Sequence, residues 1–166
     1  MGKKAKPAAA IDEVPRLSTS DPRAAPLTAA HQPHAAVHES ERGWEMLRYP
    51  GQWSKMLFHP TPEQPTVPNA GLVRYEPGAS HPLHNHYFAQ LWYILEGEFD
   101  IGGEHYGPGT MIFHPDPHYE KALATKTGGL ILFAQYMGPT TRQAPIYDGR
   151  FNVKERLPVE KERADW

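Results

Sequence analysis

Between Gly71 and Tyr136 short apolar runs are cut by glycine or proline about every 8–12 residues, and this spacing constrains the fold more than any other feature. No window keeps a 3.6-residue period long enough for a major helix, so the fold class is all-β. Strands are expected over Gly71–Tyr75, Phe88–Leu95, Glu98–Ile101, Glu104–Tyr106, Met111–His114, Tyr119–Ala124 and Leu130–Tyr136. Leu95-Glu96-Gly97-Glu98 and Ile101-Gly102-Gly103-Glu104 have the composition of tight hairpin turns, because glycine supplies the positive φ such turns demand. Antiparallel strands at this spacing build a barrel or jelly roll.

Composition places that core between two tails. Residues 1–40 carry five prolines, many alanines and hardly an aromatic or branched residue, too little apolar surface to offset the entropy of ordering; a mobile arm is expected there. His31, His34 and His38 read as solvated residues of that arm. Residues 41–140 form the expected barrel and 141–166 an extension of balanced charge that could drape over the core or pack on a partner chain. The 166 residues suffice for one compact domain. A net charge of -2 argues against a nucleic-acid partner, which needs a basic face. The absence of cysteine excludes disulfides and thiolate chemistry, leaving nitrogen and oxygen as metal donors. Prolines and charges after "MGKKAK" break up any signal peptide, no stretch suits a membrane span, and a cytoplasmic location is expected.

The chemistry concentrates in "HPLHNHYFAQLWYIL", from His81 to Leu95. Side chains alternate along a strand, so His84, His86 and Gln90 point the same way if the strand is regular. Two imidazoles at i and i+2 lie close enough to share an ion, although a His-x-His pair alone fits solvated histidines equally well. Trp92 and Ile94 continue that face and keep it dry. The opposite face, Tyr87, Ala89, Leu91, Tyr93 and Leu95, is also apolar, and a strand apolar on both sides is covered on both sides. The outer cover is expected to be a second sheet or another subunit, hence a homodimer.

The stretch resembles the first signature of the cupin superfamily, in which a glycine precedes His-x-His, an acidic ligand follows, and a second glycine closes the motif. Gly78, His84, His86 and Gly97 match it, with Gln90 at the acidic position. "YGPGTMIFHPDPHYEKAL" is similar to the second signature, with a shorter turn before His118. The resemblance implies a single jelly-roll barrel holding a divalent metal through His84, His86 and His118, with Gln90 on or beside the ion. His118 is preferred to His114, because the Pro-x-Pro-His ending matches the pattern in which the ligand opens the strand. Within the cupins, the chain is similar to the three-histidine group of acetylacetone- and dihydroxyacetophenone-cleaving dioxygenases and to a zinc-binding barrel of anti-sigma factors. The run "GWEMLRYPGQWSKMLF" ahead of "LVRYEPGASHPLHNH" shares that likeness.

What the resemblance implies is an Fe(II) dioxygenase acting on a small enolisable dicarbonyl or hydroxyketone with O2, with Zn, Mn or Ni as alternative metals. Gln90 and His81 are the expected catalytic residues, His81 as a rim residue meeting substrate. Trp92, Tyr93, Phe113, His114 and Tyr119 are the expected pocket residues. A neutral amide at position 90 would leave a bound ion its full +2 charge, which favours an anionic enolate. The alternatives are a metal-dependent lyase or isomerase and a non-catalytic metal or ligand sensor. His59 and His105 have no neighbours in sequence that suggest a role.

Overall fold

The structure, a computed structural model, describes residues 34–61, 64, 67–143 and 145. Contacts divide the chain into Met1–Ala36 and Val37–Trp166, and the architecture below is that of the second unit. The expected arm over 1–40, with His31, falls outside the described residues up to residue 33, and so does most of the extension over 141–166. His34 is exposed. His38 accepts a hydrogen bond from the Ser40 backbone and caps a single 3-10 turn, Glu39–Glu41.

Twelve strands follow among the described residues: β1 Glu45–Met46, β2 Gln52–Phe58, β3 Asn69–Tyr75, β4 Ser80–His81, β5 His84–His86, β6 Ala89–Gly97, β7 Phe99–Ile101, β8 Glu104–Tyr106, β9 Met111–His114, β10 His118–Glu120, β11 Leu123–Ala124 and β12 Gly129–Tyr136. The main sheet runs β1-β2-β3-β12-β6-β9, and the facing layer consists of β10-β5 and β4-β11-β7-β8. All the pairings are antiparallel, and the two layers make a jelly-roll barrel.

Strand parity builds the interior in rungs. On β6, Trp92 and Ile94 are buried, and β12 sets Phe133 and Ile131 directly opposite them. The facing layer adds Phe99, Ile101 and Leu123, all buried, and Tyr75 meets Phe99 edge-on at 5.3 Å. One rung further along, the same registers align Asn69, Gln135 and Gln90, and Gln90 opposes His114 on β9. An apolar plug therefore fills one part of the barrel and a polar rung the other, held rigidly by sheet hydrogen bonds.

Six expected strands appear with small shifts of boundary, and the Gly102-Gly103 turn joins β7 to β8 as expected, with φ of 58° and 84°. Two expectations fail, and one strand was not foreseen. Leu95–Glu98 is no hairpin: β6 pairs with β12 and β9, whereas β7 pairs with β11 and β8, so the chain crosses between layers there. Gly97 permits the crossing, since a Cβ on it would lie 2.0 Å from the Gly128 carbonyl oxygen. Tyr119–Ala124 divides into β10 and β11 around Lys121 and Ala122. Finally, β2 is a full strand that periodicity did not reveal, because its inward residues Gln52 and Ser54 are polar though buried.

Candidate metal centre

The centre is assembled by the short ladder of β5 and β10, in which His86 opposes His118 and His84 opposes Glu120. With i and i+2 on each strand, all four side chains share one face. His81 enters from the end of β4, and Gln90 from β6 after the chain turns at Tyr87–Phe88. That turn is tied down from beyond β12: the Thr141 hydroxyl donates to the Tyr87 carbonyl. Thr141 also donates to the Asp116 carboxylate from its backbone, at 2.8 Å, and its hydroxyl oxygen lies 3.0 Å from the same carboxylate, fixing the Pro115–Pro117 turn that presents His118.

Glu120 is the hub. Its carboxylate is 4% exposed, with Oε1 at 3.3 Å from His81 Nε2 and 3.5 Å from His84 Nε2, and Oε2 at 3.1 Å from His86 Nε2. Gln90 Nε2 also donates to Oε2 and lies 3.2 Å from His118 Nε2. His81, His84 and Glu120 form one triad with metal-ligand spacing, and His86, His118 and Glu120 a second that shares the carboxylate. The sequence reading overlooked Glu120, although His118-x-Glu120 repeats on β10 the same-face spacing that singled out His84-x-His86. Its presence also corrects the charge reckoning: a divalent ion here meets a carboxylate and does not keep its full +2.

The histidine tautomers suit a cation. The Nδ1 atoms of His84 and His118 lie 2.9 and 2.6 Å from the carbonyls of Pro82 and Pro115, and that of His81 lies 3.2 Å from the Pro82 carbonyl. A carbonyl accepts only, so each Nδ1 carries the proton and each Nε2 directs a lone pair into the cluster, the arrangement that orients metal-binding imidazoles. His81 Nε2 is buried without a hydrogen-bond partner, close to Glu120 but off the line a bond needs. A buried polar atom left in this way asks for an occupant, and the donor set of imidazoles and one carboxylate suits a divalent transition metal.

Electrostatics agree. Burial pushes the Glu120 carboxyl up, but the His86 hydrogen bond and the neighbouring imidazoles of His84, His81 and His86 outweigh it and hold the group well below the ordinary carboxylate range. Burial is the largest influence on His81 and His118 and lowers both, which keeps them neutral and able to ligate.

Gln90, fully buried, has both ends engaged. Its oxygen accepts from Gln135 Nε2 at 3.0 Å, and Gln135 accepts from Asn69 Nδ2 at 2.7 Å, so three amides form a relay ending on Glu120. The nitrogen that Gln90 turns toward the cluster has no lone pair for a metal, and its work here is to position Glu120 and His118.

The cavity beside the cluster measures about 100 Å³. It is lined by His81, His84, His86, Gln90, Trp92 and Glu120, together with residues of β2, β3, β12 and the β1–β2 turn. Trp92 is thus the one expected pocket aromatic that lines it. Tyr93 points to the other face of β6, and Phe113 and Tyr119 are 60% and 58% exposed. Each alternates with an inward residue on its own strand: Tyr93 with Trp92 and Ile94, Phe113 with His114, and Tyr119 with His118 and Glu120. His114 is buried behind the wall, its ring 4.6 Å from Trp92 and 4.9 Å from His118. His105 lies on the surface between Glu98 and Asp100.

A jelly-roll barrel is the architecture of a cupin, and its inward-facing histidines and carboxylate could hold a metal ion. The profile of the ChrR Cupin-like domain matches residues 32–138, and the chain belongs to this family. No curated protein matches the chain. Among solved structures it is similar to a putative acetylacetone dioxygenase from Methylibium petroleiphilum PM1, with TM-score 0.55, 13% identity and coverage of 72% of this chain and 90% of that one. An RmlC-like cupin from Shewanella frigidimarina NCIMB 400 matches with TM-score 0.53, 22% identity and coverage of 70% and 96%. An acetylacetone dioxygenase from Acinetobacter johnsonii matches with TM-score 0.51, 10% identity and coverage of 68% and 78%. At these identities the likeness is one of fold.

Proposed function

We propose that this cupin is a metal-dependent dioxygenase that uses Fe(II) and O2 to cleave a carbon–carbon bond in a small enolisable dicarbonyl or hydroxyketone. The observation that carries the reading is the pair of His/His/Glu triads, His81–His84–Glu120 and His86–His118–Glu120, that share the buried Glu120 carboxylate beside a cavity. His84, His86, His118 and Glu120 would hold the ion. When bound, it would supply Lewis acidity toward an enolate and a site for O2 beside it.

The chain's own residues do the rest. Gln90 fixes the Glu120 carboxylate, and the pairing of His84 and His118 with Pro82 and Pro115 fixes their rings. His81, close to Oε1 of Glu120 and without a hydrogen bond at Nε2, is the base that takes the proton of an entering enol. Trp92 and Phe133 exclude water from that side and orient the substrate.

The protein acts as a homodimer in this reading. Leu95, Leu132, Met111 and Phe113 are 40–64% exposed on the outer face of the main sheet, where Leu91 opposes Phe113 and Tyr93 opposes Met111. A second copy seated there would cover an apolar face next to β9, which ends the sheet.

The reading is tested by purifying the protein without oxygen, measuring its metal, and following O2 uptake with β-diketones, hydroxyacetophenones and enediols. Uptake coupled to cleavage of one of these is expected. Tightly held zinc with no turnover would contradict it and favour a sensor.

A further inference from the structure

Among the described residues the cavity lining contains two charged side chains, Glu120 and Arg48. Glu120 is committed to the histidines. Arg48 follows β1 in the turn that hydrogen-bonds Leu47 N to the Gln52 carbonyl at 2.8 Å. Its guanidinium carbon lies 5.8 Å from the Tyr49 ring, which is itself 6.2 and 6.4 Å from the rings of His81 and His84. Among the described residues no carboxylate pairs with Arg48. Its Nε is buried and makes no hydrogen bond, a condition that folded proteins seldom leave unanswered. In the same cavity Asn69 Oδ1 is also buried without a donor. A divalent ion with one carboxylate leaves a positive excess, and Arg48 adds to it. Leu47, Met56 and Val73 line the space between with apolar surface.

We propose that Arg48 anchors the carboxylate of an anionic substrate, so that the natural ligand is a small oxo acid: a carboxylate at one end, a short apolar body, and an enolisable carbonyl directed at the histidine–Glu120 cluster. This rests on the metal-site reading above and narrows its substrate class. Guanidinium geometry matches a carboxylate with two parallel N–H donors, which a lysine cannot reproduce. Asn69 Oδ1 would accept from a hydroxyl or enol on the same molecule.

The test uses the full chain loaded with Zn(II), which binds without O2 chemistry, and compares acetoacetate with acetylacetone by calorimetry. The two probes share a skeleton and differ in the carboxylate. Expected is at least tenfold tighter binding of acetoacetate to the parent. Arg48→Met should lose that preference, with acetylacetone binding and zinc content unchanged, and Arg48→Lys should recover it in part. Equal affinities for the two probes in the parent, no acetoacetate binding at millimolar concentration, or equal weakening of both probes by Arg48→Met would overturn the proposal. Because zinc content and binding are read apart from turnover, a failure of the dioxygenase reading in the O2 assay leaves this result interpretable by itself.

Discussion

Two residues at the centre were unequally legible. Gln90 stood out because it replaces the acid of a known signature, whereas Glu120 carried a signal that was present and unused: i, i+2 parity with His118. Together they make one device, an amide on β6 holding a carboxylate on β10. Gln90→Glu would bring two carboxylates to hydrogen-bond distance in a buried place, where one must take a proton or repel the other. The metal-free variant should lose about 3–5 kcal/mol of stability at pH 7, the scale of an uncompensated buried charge. Divalent metal should restore much of it, as read by urea unfolding with and without zinc. Unchanged stability of the metal-free variant would mean that Gln90 and Glu120 are not in contact.

His114 gives a pH signature. Burial lowers it from the ordinary 6.5 to about 4, while the unfolded chain keeps the ordinary value. Between these values the unfolded state binds the proton that the native state refuses, so His114 lowers stability as pH falls through 6.5 toward 4. His81 and His118 are lowered as well and contribute in the same direction. Glu120 has linkage of the same sign in a lower window: its stabilisation is present above the unfolded carboxylate value of 4.5 and is lost as pH falls below it, so it adds little slope between pH 7 and 5. In EDTA, unfolding midpoints should therefore fall from pH 7 to pH 5, and His114→Phe should fall less. An equal slope in the variant would show that burial does not lower His114.

At the scale of elements, periodicity found the strands whose inward faces are apolar and missed β2, whose inward face is polar. The failed hairpin at Leu95–Glu98 has a similar cause: glycine between two strands marks a sharp turn but does not say whether the second strand pairs with the first. The polar rung across β3, β12 and β6 depends on register, which joins residues far apart in sequence such as Asn69, Gln135 and Gln90. Gln135→Leu should test it. The Gln90 oxygen would lose its donor inside the barrel, costing about 1–3 kcal/mol. Zinc affinity should fall about 10- to 100-fold, the usual effect of removing a group that orients a ligand. Calorimetry that finds zinc affinity unaltered would separate the amide relay from the metal centre.

At the scale of the molecule, the apolar odd-numbered face of β6 was legible and pointed to a cover. Among the described residues no second sheet lies over Leu95, Met111, Phe113 and Leu132. Phe113→Arg should leave metal content intact and halve the mass measured by light scattering. The same mass for parent and variant would place the subunit contact elsewhere or nowhere.

The central claim, that the histidines and Glu120 form one divalent-cation site, is tested most directly by titrating EDTA-stripped protein with Zn(II) by calorimetry, alongside His86→Ala. The parent should bind one equivalent tightly, and His86→Ala should lose that event while remaining folded by circular dichroism. A parent that takes up no zinc, or a variant that binds it equally well, would contradict the account.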